Sequence, residues 1–206
     1  ETQSFRYQQL ADILEDKFNN KIEELRTAFK EPTTSSLLTK AHVSYSAGEE
    51  EWYTPLEYIE AARNTMGSID LDPASCEKAN EIVKATKFYT KEDNGLKQNW
   101  NGNVWLNPPY SYPAIEDFSN KILEELRNIQ AICVLVNNAT ETKWLQRLLK
   151  ECIAICLPQG RLKFWNEKGE AMTSPLQGQI ILYFGKDAKK FAEDFSGFGT
   201  ILWRKI

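Results

Sequence analysis

The sequence predicts an α/β protein: one mostly parallel sheet that finishes in antiparallel strands, preceded by an N-terminal helical appendage. Three observations carry this. From about residue 51 onward, strand-like and helix-like segments alternate. The continuous apolar run Ala131-Ile132-Cys133-Val134-Leu135-Val136 reads as a strand buried on both faces, the habit of a parallel sheet flanked by helices. The last quarter changes character, with Arg161 to Trp165, the turn Asn166-Glu167-Lys168-Gly169, Gln179 to Phe184 and Thr200 to Trp203 suggesting strands joined by hairpin-like turns.

Taken in order, residues 5 to 30 read as an amphipathic helix, because Leu14, Phe18, Ile22, Leu25 and Phe29 recur at three- and four-residue spacing between charges. Pro32 ends it, and Glu31 to Glu51 has the polar, turn-forming composition of a linker. The domain boundary therefore falls near Glu50, separating residues 1–50 (helix and linker) from 51–206 (main domain). Pro55 opens a helix through about Met66, and Ser68 to Asp72 is a short strand. Asn103 to Leu106 is a second strand, Ile115 to Asn128 a helix, Lys143 to Glu151 another, and Cys152 to Leu157 a further strand.

Composition narrows the class. With 42% hydrophobic and 26% charged residues in 206, the chain is an ordinary globular protein able to bury one sizeable core. No stretch approaches the ~20 consecutive apolar residues of a membrane-spanning helix, so no membrane partner is expected. A net charge of −4 argues against a protein coated in basic residues; contacts with nucleic-acid phosphates must come from a local patch. The four cysteines lack CxxC spacing, so a reduced, cytoplasmic setting without a metal site is expected. The single histidine, His42, lies in the linker, which disfavours a Ser-His-Asp or Cys-His mechanism.

The chemistry concentrates in Gly102-Asn103-Val104-Trp105-Leu106-Asn107-Pro108-Pro109-Tyr110, where an apolar strand runs directly into a polar residue, two prolines and an aromatic. Ligands of open α/β sheets bind at the carboxyl ends of strands, where this tetrapeptide lies. Consecutive prolines fix φ and remove two donors, leaving a stiff loop with free carbonyls. Such a loop suits methylation of an aromatic amine, a poor nucleophile whose lone pair is delocalised. The Asn107 side-chain carbonyl and the Pro108 backbone carbonyl each accept one N–H and free the lone pair, while Tyr110 stacks on the base. An ordinary strand-to-loop turn has the same composition.

Several further motifs stand in order: Glu51-Trp52-Tyr53-Thr54-Pro55, Leu71-Asp72-Pro73-Ala74-Ser75, Asp93-Asn94-Gly95-Leu96 with Trp100, Asn107-Pro108-Pro109-Tyr110-Ser111, and Gly160-Arg161-Leu162-Lys163-Phe164. Together, over about residues 51 to 185, they resemble the phage-type DNA N6-adenine methyltransferases, the Dam family of phages. The resemblance implies a Rossmann-like class I methyltransferase sheet and S-adenosylmethionine as cofactor. It also implies DNA as partner, catalysis by Asn107, Pro108 and Tyr110, and a phage or prophage protein working in the cytoplasm of a bacterial host.

The implied cofactor contacts are Trp52, Thr54, Pro55, Asp72, Pro73, Asp93 and Asn107. Thr54 and the helix N-terminus would hold the cofactor carboxylate, or form a plain N-cap with Pro55 at the first helical position. Asp72 would face the cofactor ammonium, or be a turn aspartate. Asp93 resembles an acidic residue at a third strand's end, or is a solvated turn carboxylate. No glycine-rich loop follows Asp72, a departure from the commoner methyltransferase pattern.

The implied substrate contacts are Pro109, Tyr110, Ser111, Phe164, Arg161 and Lys163. Phe164 is placed against the flipped base, with Trp165 competing because strand residues alternate faces, and with a core position as the plain alternative. Arg161, Lys163 and Lys168 flank the hairpin, and Lys143, Arg147 and Lys150 form a basic helix face. The recognition loops are Ser111 to Pro113 and Gly169 to Gly178.

Other readings keep the cofactor but change the substrate to RNA adenine, cytosine N4 or a protein glutamine amide. A catalytically silent DNA-binding subunit is a further one. The N-terminal helix serves either as a homodimerisation element or as packing for its own domain.

Overall fold

The computed structural model describes residues 53–165 and 177–204. Their elements, in chain order, are α1 (Leu56–Met66), β1 (Leu71–Asp72), α2 (Glu77–Val83), β2 (Lys87–Phe88), a 3-10 turn (Gly95–Lys97), β3 (Gly102–Leu106) and α3 (Ala114–Glu125). There follow β4 (Ile129–Asn137), α4 (Lys143–Glu151), β5 (Ala154–Pro158), β6 (Gln179–Phe184), α5 (Ala188–Phe195) and β7 (Gly199–Trp203). The contacts group Glu51–Ile206 as one unit apart from Glu1–Glu50. The amphipathic helix expected at residues 5–30, its dimerisation role, Trp52, Lys168 and the turn Asn166–Gly169 lie outside the described residues.

The seven strands form one sheet in the order β2-β1-β3-β4-β6-β5-β7. β2, β1, β3 and β4 are parallel neighbours. β6 then pairs antiparallel with β4 and with β5, and β7 pairs antiparallel with β5. The mixed α/β sheet, parallel first and antiparallel at the end, is the one the alternation of segments predicts.

β4 organises the packing. Its side chains alternate between two buried clusters, as a pleated strand requires. Ala131, Cys133 and Leu135 join Ile59 and Ala62 of α1 with Phe191 and Phe195 of α5. Ile132, Val134 and Val136 join Ile115, Phe118 and Ile122 of α3 with Leu145 and Leu148 of α4. Both faces are thus covered by helices, which explains why the strand reads as an unbroken apolar run.

Several elements differ from expectation for local reasons. The strand expected at Ser68–Asp72 is regular only over Leu71–Asp72. Backbone bonds continue upstream from Asp70 N–H to the Asn103 carbonyl (2.8 Å) and from Thr86 N–H to the Ile69 carbonyl (3.1 Å), but the ladder is interrupted where the Asp70 carboxylate accepts the Asn103 N–H (2.8 Å) and the register of β3 shifts at Gly102. Gly102 has φ 70°, and any Cβ there would collide with the Asp70 carboxylate. Thr54 does not cap α1: Pro55 takes the cap position with no side-chain bond, and the helix begins at Leu56.

The C-terminal hairpin is the larger correction. Arg161–Trp165 does not pair with Gln179–Phe184, since both edges of β6 are already bonded to β4 and β5. The segment instead makes one bridge, Trp165 with Tyr53. Three short elements, α2, β2 and α5, went unpredicted. α5 starts where the Asp187 carboxylate accepts the Lys190 N–H (2.8 Å) and buries Phe191 and Phe195 one turn apart.

Cys133, Cys152 and Cys156 are buried and all four cysteines are free thiols. Burial pushes the Cys156 thiol up to about 12, so it stays protonated. Among the described residues no helix is long and apolar enough to cross a membrane.

Phe191 stacks between Tyr183 (5.1 Å between centroids) and Phe195 (4.4 Å) with no exposed surface. Phe191→Ala is expected to cost ~3–5 kcal/mol through lost burial and the cavity left behind. That lowers the melting temperature by on the order of 10 °C for a domain of this size. A thermal melt checks it, and a shift of only a degree or two contradicts the assignment of Phe191 to the core.

Candidate active site

Because β1, β3 and β4 run parallel, their carboxyl ends share one edge of the sheet, and the residues that follow them converge there. Asp72 ends β1, Asn107 follows β3, and Asn137 ends β4.

Asn107 is held at both ends of its side chain. Its Nδ2 donates to Thr54 Oγ1 (3.3 Å), and its Oδ1 accepts from the Tyr110 hydroxyl (2.8 Å). Thr54 is buried, which explains why its hydroxyl turns to Asn107 instead of capping α1. The two hydroxyls hold the amide in place from either end, and an amide carbonyl oxygen has two lone pairs with which to accept. The Tyr110 ring packs against both core clusters, and burial raises its hydroxyl pKa, so it remains a donor. Pro108 is buried beneath the loop, while Pro109 and Ser111 are exposed.

The loop after β1 is built against the loop after β2. A Cβ at Gly95 would overlap the Pro73 carbonyl, so only glycine permits this approach. Trp100, 1% exposed, holds the same loop by donating from its indole to the Gly95 carbonyl (2.9 Å). The Asp93-Asn94-Gly95-Leu96 and Trp100 motif is thereby locked onto Asp72-Pro73. Asp93 itself lies in an exposed turn beyond β2, not at the end of a third strand. Its carboxylate accepts the Thr90 N–H and hydroxyl (both 2.9 Å), and these bonds hold it below the usual range.

Asp72 is 3% exposed, and its carboxylate accepts the Ala74 N–H at 3.3 Å. Burial pushes its carboxyl up to about 7, only partly offset by that amide and by the neighbouring Ser75 hydroxyl. A buried carboxylate so weakly satisfied suits a cationic ligand, and the buried Ser75 hydroxyl lies alongside it. This polar pair fits an ammonium group. No cluster of three metal-ligating side chains occurs among the described residues.

The segment Gly160–Trp165 closes on the start of the domain through Tyr53 N–H to the Trp165 carbonyl (2.8 Å) and Trp165 N–H to the Tyr53 carbonyl (3.0 Å). Its side chains alternate: Leu162 and Phe164 are in the core, and Arg161, Lys163 and Trp165 face outward. Phe164 is 3% exposed, whereas Trp165 is 41% exposed. The ring accessible to a ligand is therefore Trp165. On α4, Arg147 pairs with Glu116 of α3 (3.1 Å), so the expected basic face is partly neutralised.

Beside Tyr110 opens a cleft of about 520 Å³, lined by Tyr110, Tyr112, Asn137, Lys143, Trp144 and Gln177 among others. Tyr112 is 78% exposed at its rim. Sequence reasoning missed Tyr53, Asn137 and the buried Gln179. The signal available was that Asn137 directly follows the apolar run Ala131 to Val136 and Gln179 directly precedes the run Ile180 to Phe184.

Residues 41–197 match the family model described as DNA N-6-adenine-methyltransferase (Dam). The chain is similar to the DNA N-6-adenine-methyltransferase of Escherichia phage T1, at 33% identity over 75% of this chain and 71% of that protein. It is also similar to the DNA N-6-adenine-methyltransferase of Haemophilus phage HP1 (strain HP1c1), at 28% identity over 72% of this chain and 85% of that protein. The model match spans the whole edge of the sheet described above, from before Thr54 to beyond Gln179, and on that ground the chain belongs to the DNA N-6-adenine-methyltransferase (Dam) family.

Proposed function

We propose that this protein methylates the N6 amine of a flipped adenine in DNA, with S-adenosylmethionine as donor, in the cytoplasm of a phage-infected or lysogenic bacterium. The observation that carries the reading is the Asn107 amide, oriented by Thr54 and Tyr110 at the carboxyl end of β3. We read the sheet as the Rossmann-like class I methyltransferase arrangement, with the parallel half binding the cofactor.

When bound, the cofactor supplies an electrophilic methyl on a sulfonium. Asp72 is the residue to hold its ammonium, with Ser75 beside it. Thr54, Pro55, Pro73, Asn107 and the Asp93 loop line the same edge, and Trp52 precedes them in the chain. Asn107 Oδ1 and the Pro108 carbonyl each accept one N–H of the adenine amine. Both draw the nitrogen toward tetrahedral geometry and release its lone pair, so positioning and fixed dipoles carry the catalysis. Neither group is a base, and the proton lost after transfer passes to solvent.

A base must leave the duplex to reach this edge. Tyr110 offers the stacking ring, with Pro109 and Ser111 at the exposed end of its loop. Arg161 and Lys163 extend outward on the face that Trp165 shares, and we assign them to phosphates. Phe164 supports this face from the core. The test is incubation with labelled S-adenosylmethionine and unmethylated DNA, RNA or protein, then mass spectrometry of the modified unit. N6-methyladenine in DNA is expected, and label in protein or RNA alone overturns the reading.

Asn107→Ala is expected to lower methyl transfer by about 10²–10³-fold, in line with loss of a preorganised catalytic dipole, while cofactor binding by calorimetry stays near wild type. Near-normal turnover would refute the mechanism. Thr54→Val removes only the acceptor that orients Asn107, so kcat should drop by roughly tenfold, the scale of one hydrogen bond.

Asp72 carries a pH signature. The folded state holds its proton up to about 7, while the unfolded chain releases it near 3.8. Its contribution to stability is thus fully present below the lower value and lost as pH rises through 7. Asp72→Asn should flatten the melting temperature between pH 5 and 8. Cofactor affinity runs the other way, because a cation needs the carboxylate. It should weaken by about tenfold per pH unit below 7 in the wild type and become independent of pH in Asp72→Asn.

A further inference from the structure

The cleft beside Tyr110 contains an amide pair that the chemistry above does not use. Asn137 ends β4 and Gln179 begins β6, and the two are partners in the ladder. Gln179 is 5% exposed. Its Nε2 donates to the Gln177 carbonyl (2.7 Å) and to Asn137 Oδ1 (3.2 Å). These two donations determine the orientation of the amide, because turning it over would set oxygen against two oxygens.

The arrangement has a cost and a consequence. Gln179 Oε1 is left buried with no hydrogen-bond partner among the described residues, a penalty native structures seldom accept outside functional sites. In return one lone pair of the Asn137 oxygen is used and that end of the side chain is turned toward Gln179, which leaves its NH2 group, a donor, as the end available at the cleft that Asn137 lines.

We infer that the cleft is a base-binding subsite in which Asn137 Nδ2 donates to a ring nitrogen flanking the target amine, N1 or N7 of adenine. The inference rests on the adenine reading and deepens it. Tyr110 lines the cleft together with Asn137, and its hydroxyl reaches Asn107 Oδ1 outside it, so the pose we assign lays the base on the Tyr110 ring with its amine edge directed along the ring toward Asn107 and an adjacent ring edge toward Asn137. The volume of about 520 Å³ is within the range of pockets that enclose small ligands. Asn137 is then a specificity residue and Gln179 a positioning residue acting through it. On the Watson–Crick edge, guanine N1 and thymine N3 carry an N–H where adenine N1 presents a lone pair, and a fixed donor disfavours them.

The test measures kcat/KM on an oligonucleotide that the wild-type chain methylates, with the target as adenine, 1-deazaadenine or 7-deazaadenine. The wild type should lose roughly tenfold on one analogue, the scale of one hydrogen bond, and that analogue identifies the nitrogen. Asn137→Ala should lose a similar factor on adenine and nothing further on the same analogue. Any intrinsic effect of the analogue on amine reactivity cancels in this double comparison. Gln179→Met should keep its kcat on adenine, raise KM and show a smaller analogue penalty than the wild type.

Asn137→Asp, which replaces the donor by an acceptor at the same size, serves if the alanine variant melts early, and should reproduce its loss. Wild-type kcat/KM in these variants, or losses from variant and analogue that multiply, overturns the inference and leaves adenine methylation standing. A wild-type chain that modifies no adenine in DNA overturns both.

Discussion

The structure depends on β4 being buried on both faces and bonded on both edges. Its nine residues separate the two cores, and its pairing reverses from parallel, with β3, to antiparallel, with β6. A strand with no exposed face leaves no room for a slip of register, since a one-residue shift would exchange the side chains facing α1 and α5 with those facing α3 and α4. This rigidity is transmitted to the site. β3 is held in register along β4, so Asn107 emerges from the sheet at a fixed height, and the Tyr110 hydroxyl finds Asn107 Oδ1 without an adaptable loop between them.

Around that frame the site is assembled from short polar segments that are each held by one or two specific contacts. Thr54 is aligned by the bridge between Tyr53 and Trp165, the Asp72 loop by the approach of Gly95 to Pro73, and Asn137 by Gln179. The edge is therefore a set of polar groups each held by a specific partner, and removing one partner leaves the other exposed to the full cost of burying an unpaired group.

Much of this was legible in the sequence, and the boundary of legibility is physical. The strand before Asn107 and the doubly buried strand β4 announced themselves through apolar runs, because local periodicity reports local burial. α2, β2 and α5 did not, since seven-, two- and eight-residue elements hold too few residues to display a period. The pairing of Trp165 with Tyr53, the turn of Thr54 toward Asn107 and the hold of Gln179 on Asn137 join residues more than forty positions apart. No local pattern encodes them. By sequence Phe164 is placed ahead of Trp165, yet Phe164 is buried and Trp165 exposed, because alternation along a strand says that they face opposite ways without saying which way is in.

The order β4-β6-β5 has a consequence for how the chain is made. β5 leaves the ribosome before β6, yet β6 must come to lie between β4 and β5. Until it arrives, the emerging chain holds β4 with one hydrogen-bonding edge open, a row of unpaired N–H and C=O groups beside apolar side chains. The antiparallel half of the sheet thus cannot form in the order of synthesis. The nascent protein passes through a stage in which its most hydrophobic strand is also its least protected one, the stage at which chaperone engagement competes with misassembly.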